Sequence, residues 1–170
     1  MTLRTNLAIA LALGVLALSA TAAPGNGAAI DASVKSITEA ASRTLTRSAA
    51  FCASSHLPAG PSLDARLKTY LANMAAGSKA AMLEIAAQDS SFVSSTPVYS
   101  GKDLETMDRQ AETMLQNVKA RPEAACTQMG TIFDAGTPAF FKDVTQQGYQ
   151  EYVARRAAHC ARSPKPANCN

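Results

Sequence analysis

Residues 30–52 read IDASVKSITEAASRTLTRSAAFC. Ile30, Val34, Ile37, Ala41, Leu45, Ser48 and Cys52 recur at three and four positions, which places them on one face of an α-helix. Asp31 is a suitable N-cap at its start, and Pro58, Gly60 and Pro61 stop the pattern. A helix with one apolar face must bury that face against other elements, so the rest of the chain should supply them.

It does. Ser62 can cap a second helix with the stripe Leu63, Leu67, Tyr70 and Leu71, Met74, Ala81 and Met82, and Ile85, ending near Gln88. Ser100-Gly101-Lys102-Asp103 has the S-x-x-D form that closes a helix N-terminus. It opens a third helix carrying Leu104, Met107, Ala111, Met114, Leu115 and Val118. Pro122, pre-set for a first helical turn, starts a shorter segment with Cys126, Met129, Ile132 and Phe133. Thr137 and Pro138 form an N-cap and N1 pair for the last helix, with Phe140, Phe141, Val144, Tyr152, Val153 and Ala157, ending near Ala161. The expected fold class is all-α, an antiparallel bundle of four to five helices stapled by two disulfides. Residues 30–162 form a single helical domain, 23–29 a flexible leader, and 163–170 a tail pinned by Cys169.

Upstream, Arg4 precedes an unbroken apolar run from Leu7 to Leu18, followed by Ala20-Thr21-Ala22. A charged start, a short apolar run and an A-x-A site make a secretory signal peptide at 1–22, cleaved after Ala22 or, as second choice, after Ala23. The run is shorter than the roughly 20 apolar residues of a spanning helix, so no stable membrane insertion is expected after cleavage. Alanine-rich usage points to a bacterium, and hence to the periplasm or the medium.

In an exported chain the four cysteines, Cys52, Cys126, Cys160 and Cys169, read as two disulfides. In an up-and-down arrangement all four sulfurs gather at one pole. The preferred pairing is Cys52–Cys126 with Cys160–Cys169, and the runner-up Cys52–Cys160 with Cys126–Cys169. A competing reading pairs Cys52 with His56 and His159 with Cys160 in a Cys2His2 zinc site. Oxidising export and the divergent directions of adjacent helical residues weigh against it.

Composition narrows the chemistry. The chain has 170 residues, a formal net charge of +3, 5% aromatics and no tryptophan. The charges are interspersed and the field is weak, so no nucleic-acid partner is expected. The phosphate-loop, dinucleotide, nucleophile-elbow and H-E-x-x-H patterns are missing. Glu105, Asp108 and Glu112 share a face of the third helix and could do acid–base work, the basis of a rival reading as an envelope hydrolase. Flanking Lys102 and Arg109 make an ordinary salt-bridged surface the simpler account. Met74, Met82, Met107, Met114 and Met129 stand at helical spacing among leucines as core fillers, and none pairs with His159 for haem, so no cofactor is expected. A small ligand or metal carrier is a third reading.

What remains is a non-catalytic helical protein that binds a protein partner in the envelope or medium. Residues 89–100, DSSFVSSTPVYS, form a long connection, and long connections are where binding residues gather. Phe92, Val98 and Tyr99 in that loop, with Arg155 and Arg156 at the basic end of the last helix, are the candidate partner-binding residues. The loop lies at the pole opposite the cysteines. Folding back over the bundle is its favoured outcome, because soluble chains seldom leave such residues clustered in water.

Overall fold

A computed structural model describes residues 26–58, 60–96 and 98–161, and Cys169. The expected signal peptide and most of the tail lie outside the described residues. The described chain forms α1 (Asn26–Ser54), a 3-10 turn (Gly60–Ser62), α2 (Leu63–Ala86), α3 (Ser90–Ser95), α4 (Lys102–Ala120), α5 (Pro122–Ala135) and α6 (Pro138–Cys160). The helical bundle is therefore as expected, with one more helix than the sequence pattern allowed.

α1 begins at Asn26, more than a turn before Asp31, so residues 26–29 are helix and not leader. Asp31 is free of a capping role and instead pairs with Lys79 of α2 at 2.7 Å. Ile30, Val34, Ala41, Ser48 and Cys52 are buried as the stripe required. Among the described residues the Ser48 hydroxyl is buried without a hydrogen-bond partner, an arrangement that costs about 1–3 kcal/mol. α1 ends where His56 adopts a positive φ of 56°. The chain then folds back so tightly that a Cβ at Gly60 would run into the Cys52 carbonyl oxygen.

Contacts between helices give their directions. Arg43 meets Asp108 at 3.4 Å and Arg47 meets Glu112 at 3.6 Å, so α4 runs parallel to α1. These pairs are half exposed and worth at most about 1 kcal/mol each. α5 runs along α2 in the same direction, since Gly130 lies beside Arg66 and Leu63, and Phe133 stacks on Tyr70. α6 continues that way: Phe141 packs on Tyr70, Thr145 bonds Ser78, Lys142 pairs with Glu84, and Arg156 reaches Ser91.

This overturns one expectation. For all four sulfurs to gather at one pole, the Gly136-Thr137 link would have to reverse the chain and return Cys160 to the end of Cys52. It is a break within one descending path, and the two disulfides sit at opposite ends of the molecule. The pairing is nonetheless the preferred one, Cys52–Cys126 and Cys160–Cys169. Cys52 and Cys126 meet because α4 ends beside the end of α1 and Pro122 starts α5 there. Cys160 finds Cys169 through short sequence separation alone.

The core has two parts. The larger holds Cys52, Leu63, Leu67, Tyr70, Met74, Val118, Cys126, Met129, Phe133 and Phe141. The smaller holds Ile30, Val34 and Met82, closed by Val93 of α3. α6 buries only Phe141 fully, and it rests on α2 through a backbone contact at Gly77. A Cβ there would run into the Pro138 carbonyl oxygen and lie 2.8 Å from Phe141 Cβ. Neither obstacle is the loose end of a flexible side chain, so Gly77→Ala should destabilise by about 1–3 kcal/mol, read from urea unfolding. Unfolding at the parent's midpoint would show that α6 does not depend on this crossing.

Candidate functional site

The connection 89–100 was expected to be irregular; half of it is α3. Asp89 follows the end of α2 and restarts the helix, its carboxylate accepting the Ser91 backbone N–H at 3.0 Å. Serines that disfavour a helix interior are satisfied locally: Ser95 and Thr96 hydroxyls donate to the Phe92 carbonyl at 2.7 and 3.0 Å. Fold-back, the favoured outcome, is what the structure shows for most of the segment. Val93 is buried under it, and the Phe92 ring lies edge-on to Tyr149 at 5.2 Å and Tyr152 at 5.4 Å.

Around that aromatic contact sits a polar cluster joining α3 to α6. The Ser91 hydroxyl donates to the Asp89 carboxylate and accepts from the Arg156 guanidinium at 2.9 Å. The Tyr152 hydroxyl is 3.3 Å from the Ser91 oxygen, and the Tyr149 hydroxyl donates to the other Asp89 oxygen at 3.5 Å. The Ser91 hydroxyl, its backbone N–H, the Arg156 charge and the Tyr149 hydroxyl together hold the Asp89 carboxyl below its ordinary range, against the opposing effect of desolvation. Desolvation and the neighbouring Asp89 charge push the Tyr149 hydroxyl up.

A carboxyl whose pKa is lowered is a weak general base, and the Ser91 hydroxyl is engaged as both donor and acceptor. His56 lies beyond the end of α1 at the other end of the bundle, and His159 is exposed on the last turn of α6. The arrangement suits a latch better than a nucleophile.

The sequence candidates fall into distinct places. Phe92 and Arg156 come together here, though 64 positions apart in the chain is no hint of it, and Arg155 is exposed beside them. Tyr99 is half-buried on the α1 side, its backbone N–H donating to Ser36 Oγ at 2.8 Å. Val98 is 51% exposed. Asp108 and Glu112 are bound to Arg43 and Arg47, and Gln116 donates to Glu112 at 2.8 Å, while Glu105 is exposed. Thus two of the three suspected carboxylates tie α4 to α1. All four cysteines are in disulfides, so the Cys2His2 zinc reading has no thiolates to offer. Among the described residues no group of three or more His, Cys, Asp or Glu is placed to hold a metal ion.

Sequence reading missed Asp89, Ser91, Val93, Tyr149 and Tyr152. Two signals were present: an Asp-Ser-Ser run after a helix end, which is N-cap chemistry, and two tyrosines three apart on one helix face. Open depressions lie elsewhere on the surface. One of about 340 Å³ between α2 and α5 is lined by Arg66, Thr69, Asn73, Phe133 and Asp134 among others. Compared with protein families, curated proteins and solved structures, the chain matches none.

Two measurements check the latch. Phe92→Ala should lower stability by about 1–3 kcal/mol, since a half-buried ring loses its area and two edge contacts. For Asp89 the folded pKa is below the unfolded one, so its stabilisation is present above the ordinary carboxylate pKa and lost as pH falls through the folded value. Asp89→Asn keeps a capping oxygen but no charge. The melting-temperature gap between parent and variant should be open at pH 7 and narrow below about pH 4. A gap independent of pH would remove the charge from the account.

Proposed function

We propose that this chain is exported and works as a non-catalytic helical protein that binds a protein partner in the cell envelope or the medium. The observation that carries the reading is the α3–α6 junction. It braces the end of α6 through Phe92 and Arg156 and leaves Arg155 and Val98 exposed at that end of the bundle. Arginine and aromatic side chains on a rigid support are the usual anchors of protein interfaces. A basic surface there favours an acidic partner, chiefly through encounter rate.

Export is supported by the signal-like first 22 residues and by two disulfides, which persist in oxidising compartments. No helix among the described residues is long and apolar enough to cross a membrane.

The test uses Arg155 and Val98, which are exposed. Substituting both, as Arg155→Glu with Val98→Asp, should leave the melting temperature within about 2–4 °C of the parent. Capture from envelope extract should return a specific protein on the parent and at least ~10-fold less on the variant, with retention falling as salt rises. No specific protein on the parent, or equal retention on both, sinks the reading. Amino-terminal sequencing of the exported protein should begin at Ala23.

A further inference from the structure

The two disulfides differ in what protects them. Cys52 and Cys126 are each 0% exposed and belong to the larger core, so a reductant reaches them only when α1 and α5 part. Cys160 and Cys169 are partly exposed and belong to neither core cluster. Cys160 is the last residue of α6, and its bond joins positions 9 apart, against 74 for the other. Opening the outer bond disturbs no helix–helix contact within α1–α5, whereas opening the inner one leaves two buried sulfurs without their link.

Charge near Cys160 bears on its reactivity. Arg156, whose guanidinium also donates to Ser91, stands one helical turn before it on the same face, and exposed Arg155 is close in sequence. Cations lower a thiol's pKa and make it a better leaving group.

We propose that Cys160–Cys169 is a thiol–disulfide exchange site for a protein dithiol in the compartment to which the chain is exported, while Cys52–Cys126 is structural. The dithiol's thiolate attacks the Cys169 sulfur. The Cys160–Cys169 bond breaks, Cys160 leaves as thiolate and takes up a proton, and a mixed disulfide forms on Cys169. The second thiol of the dithiol, as thiolate, then attacks its own sulfur in the mixed disulfide and releases Cys169, which is protonated in turn. Two electrons and two protons pass in all: the dithiol ends oxidised, and Cys160 and Cys169 end as thiols. The proposal rests on the export part of the proposed function and not on a protein partner binding at Arg155 and Val98.

The experiment needs no variant of the protein. The oxidised full-length mature chain is treated with dithiothreitol, quenched over time with an alkylating agent, and mapped by peptide mass. Cys160 and Cys169 should become labelled together at least ~10-fold faster than Cys52 and Cys126, with helicity unchanged while only the outer pair is open. Equal rates, or earlier labelling of Cys52 and Cys126, overturn the proposal. In a second arm, a protein dithiol whose resolving cysteine is replaced by serine should be trapped on Cys169. No adduct, or an adduct on any other cysteine, overturns it as well.

Discussion

Tyr70 packs against Phe133 at 5.2 Å and against Phe141 at 5.0 Å, one ring from each side of the Gly136-Thr137 break. Each such aromatic pair contributes about 0.5–1.5 kcal/mol beyond its buried area. Their larger consequence is directional. With both rings held on one residue of α2, and with Asn73 donating to the Gly136 carbonyl at 2.9 Å, α6 cannot turn back beside α5 and must continue down α2. A Cβ at Gly136 would run into the Tyr70 ring, so the break can lie this close only as glycine. Thr137 then caps α6 by accepting the Phe140 N–H at 3.1 Å, and the new helix starts along the path that the clamp has set.

That path decides what the far end of the molecule looks like. Descending α6 reaches the level of α3, so Tyr149, Tyr152 and Arg156 meet Asp89, Ser91 and Phe92. Had the last helix reversed, Arg156 would lie near the Cys52–Cys126 bond and α3 would lack its brace. The same geometry separates the two disulfides by the length of the bundle. One is an internal link between α1 and α5, closing a loop of 74 positions, which by the chain-entropy account constrains the unfolded chain by about 4 kcal/mol. The other closes a local loop at the exposed end of α6.

Charged groups serve this architecture mostly as surface ties. Lys79 with Asp31, Arg43 with Asp108, Arg47 with Glu112 and Lys142 with Glu84 each bridge two helices at exposed or half-exposed positions. Such pairs select register more than they add stability. Burial supplies most of the energy, and small residues allow it: Ser33, Ser36, Ala40, Ala41, Ser48 and Ala49 are buried along α1. The polar cluster at Asp89 is different in kind, because Asp89, Tyr152 and Arg156 converge on the Ser91 hydroxyl, Tyr149 adds a bond to Asp89, and together they join segments distant in sequence.

Much of the secondary structure was legible from local chemistry. The stripes Ile30 to Cys52 and Leu63 to Ile85 repeat at helical period, Pro122 and Thr137-Pro138 mark helix starts, and most stripe residues are buried, while Ile37, Leu45 and Leu71 are partly buried and small residues such as Ser33, Ala49 and Ser78 join the core beside them. Cysteine pairing was legible too, although for a reason that did not hold for Cys160. The α3 segment was obscured because its serines, with Pro97 shortly after them, read as loop, while the Asp89 cap that starts the helix acts over two residues only. The sequence by itself determined where helices start, stop and bury a face, since those depend on neighbours within a turn or two. Only the tertiary structure decided the direction of α6, and with it the meeting of Phe92 with Tyr149 and of Ser91 with Arg156. A two-residue link permits reversal or continuation equally, and the choice rests on an aromatic contact with Tyr70, more than sixty positions away in the chain.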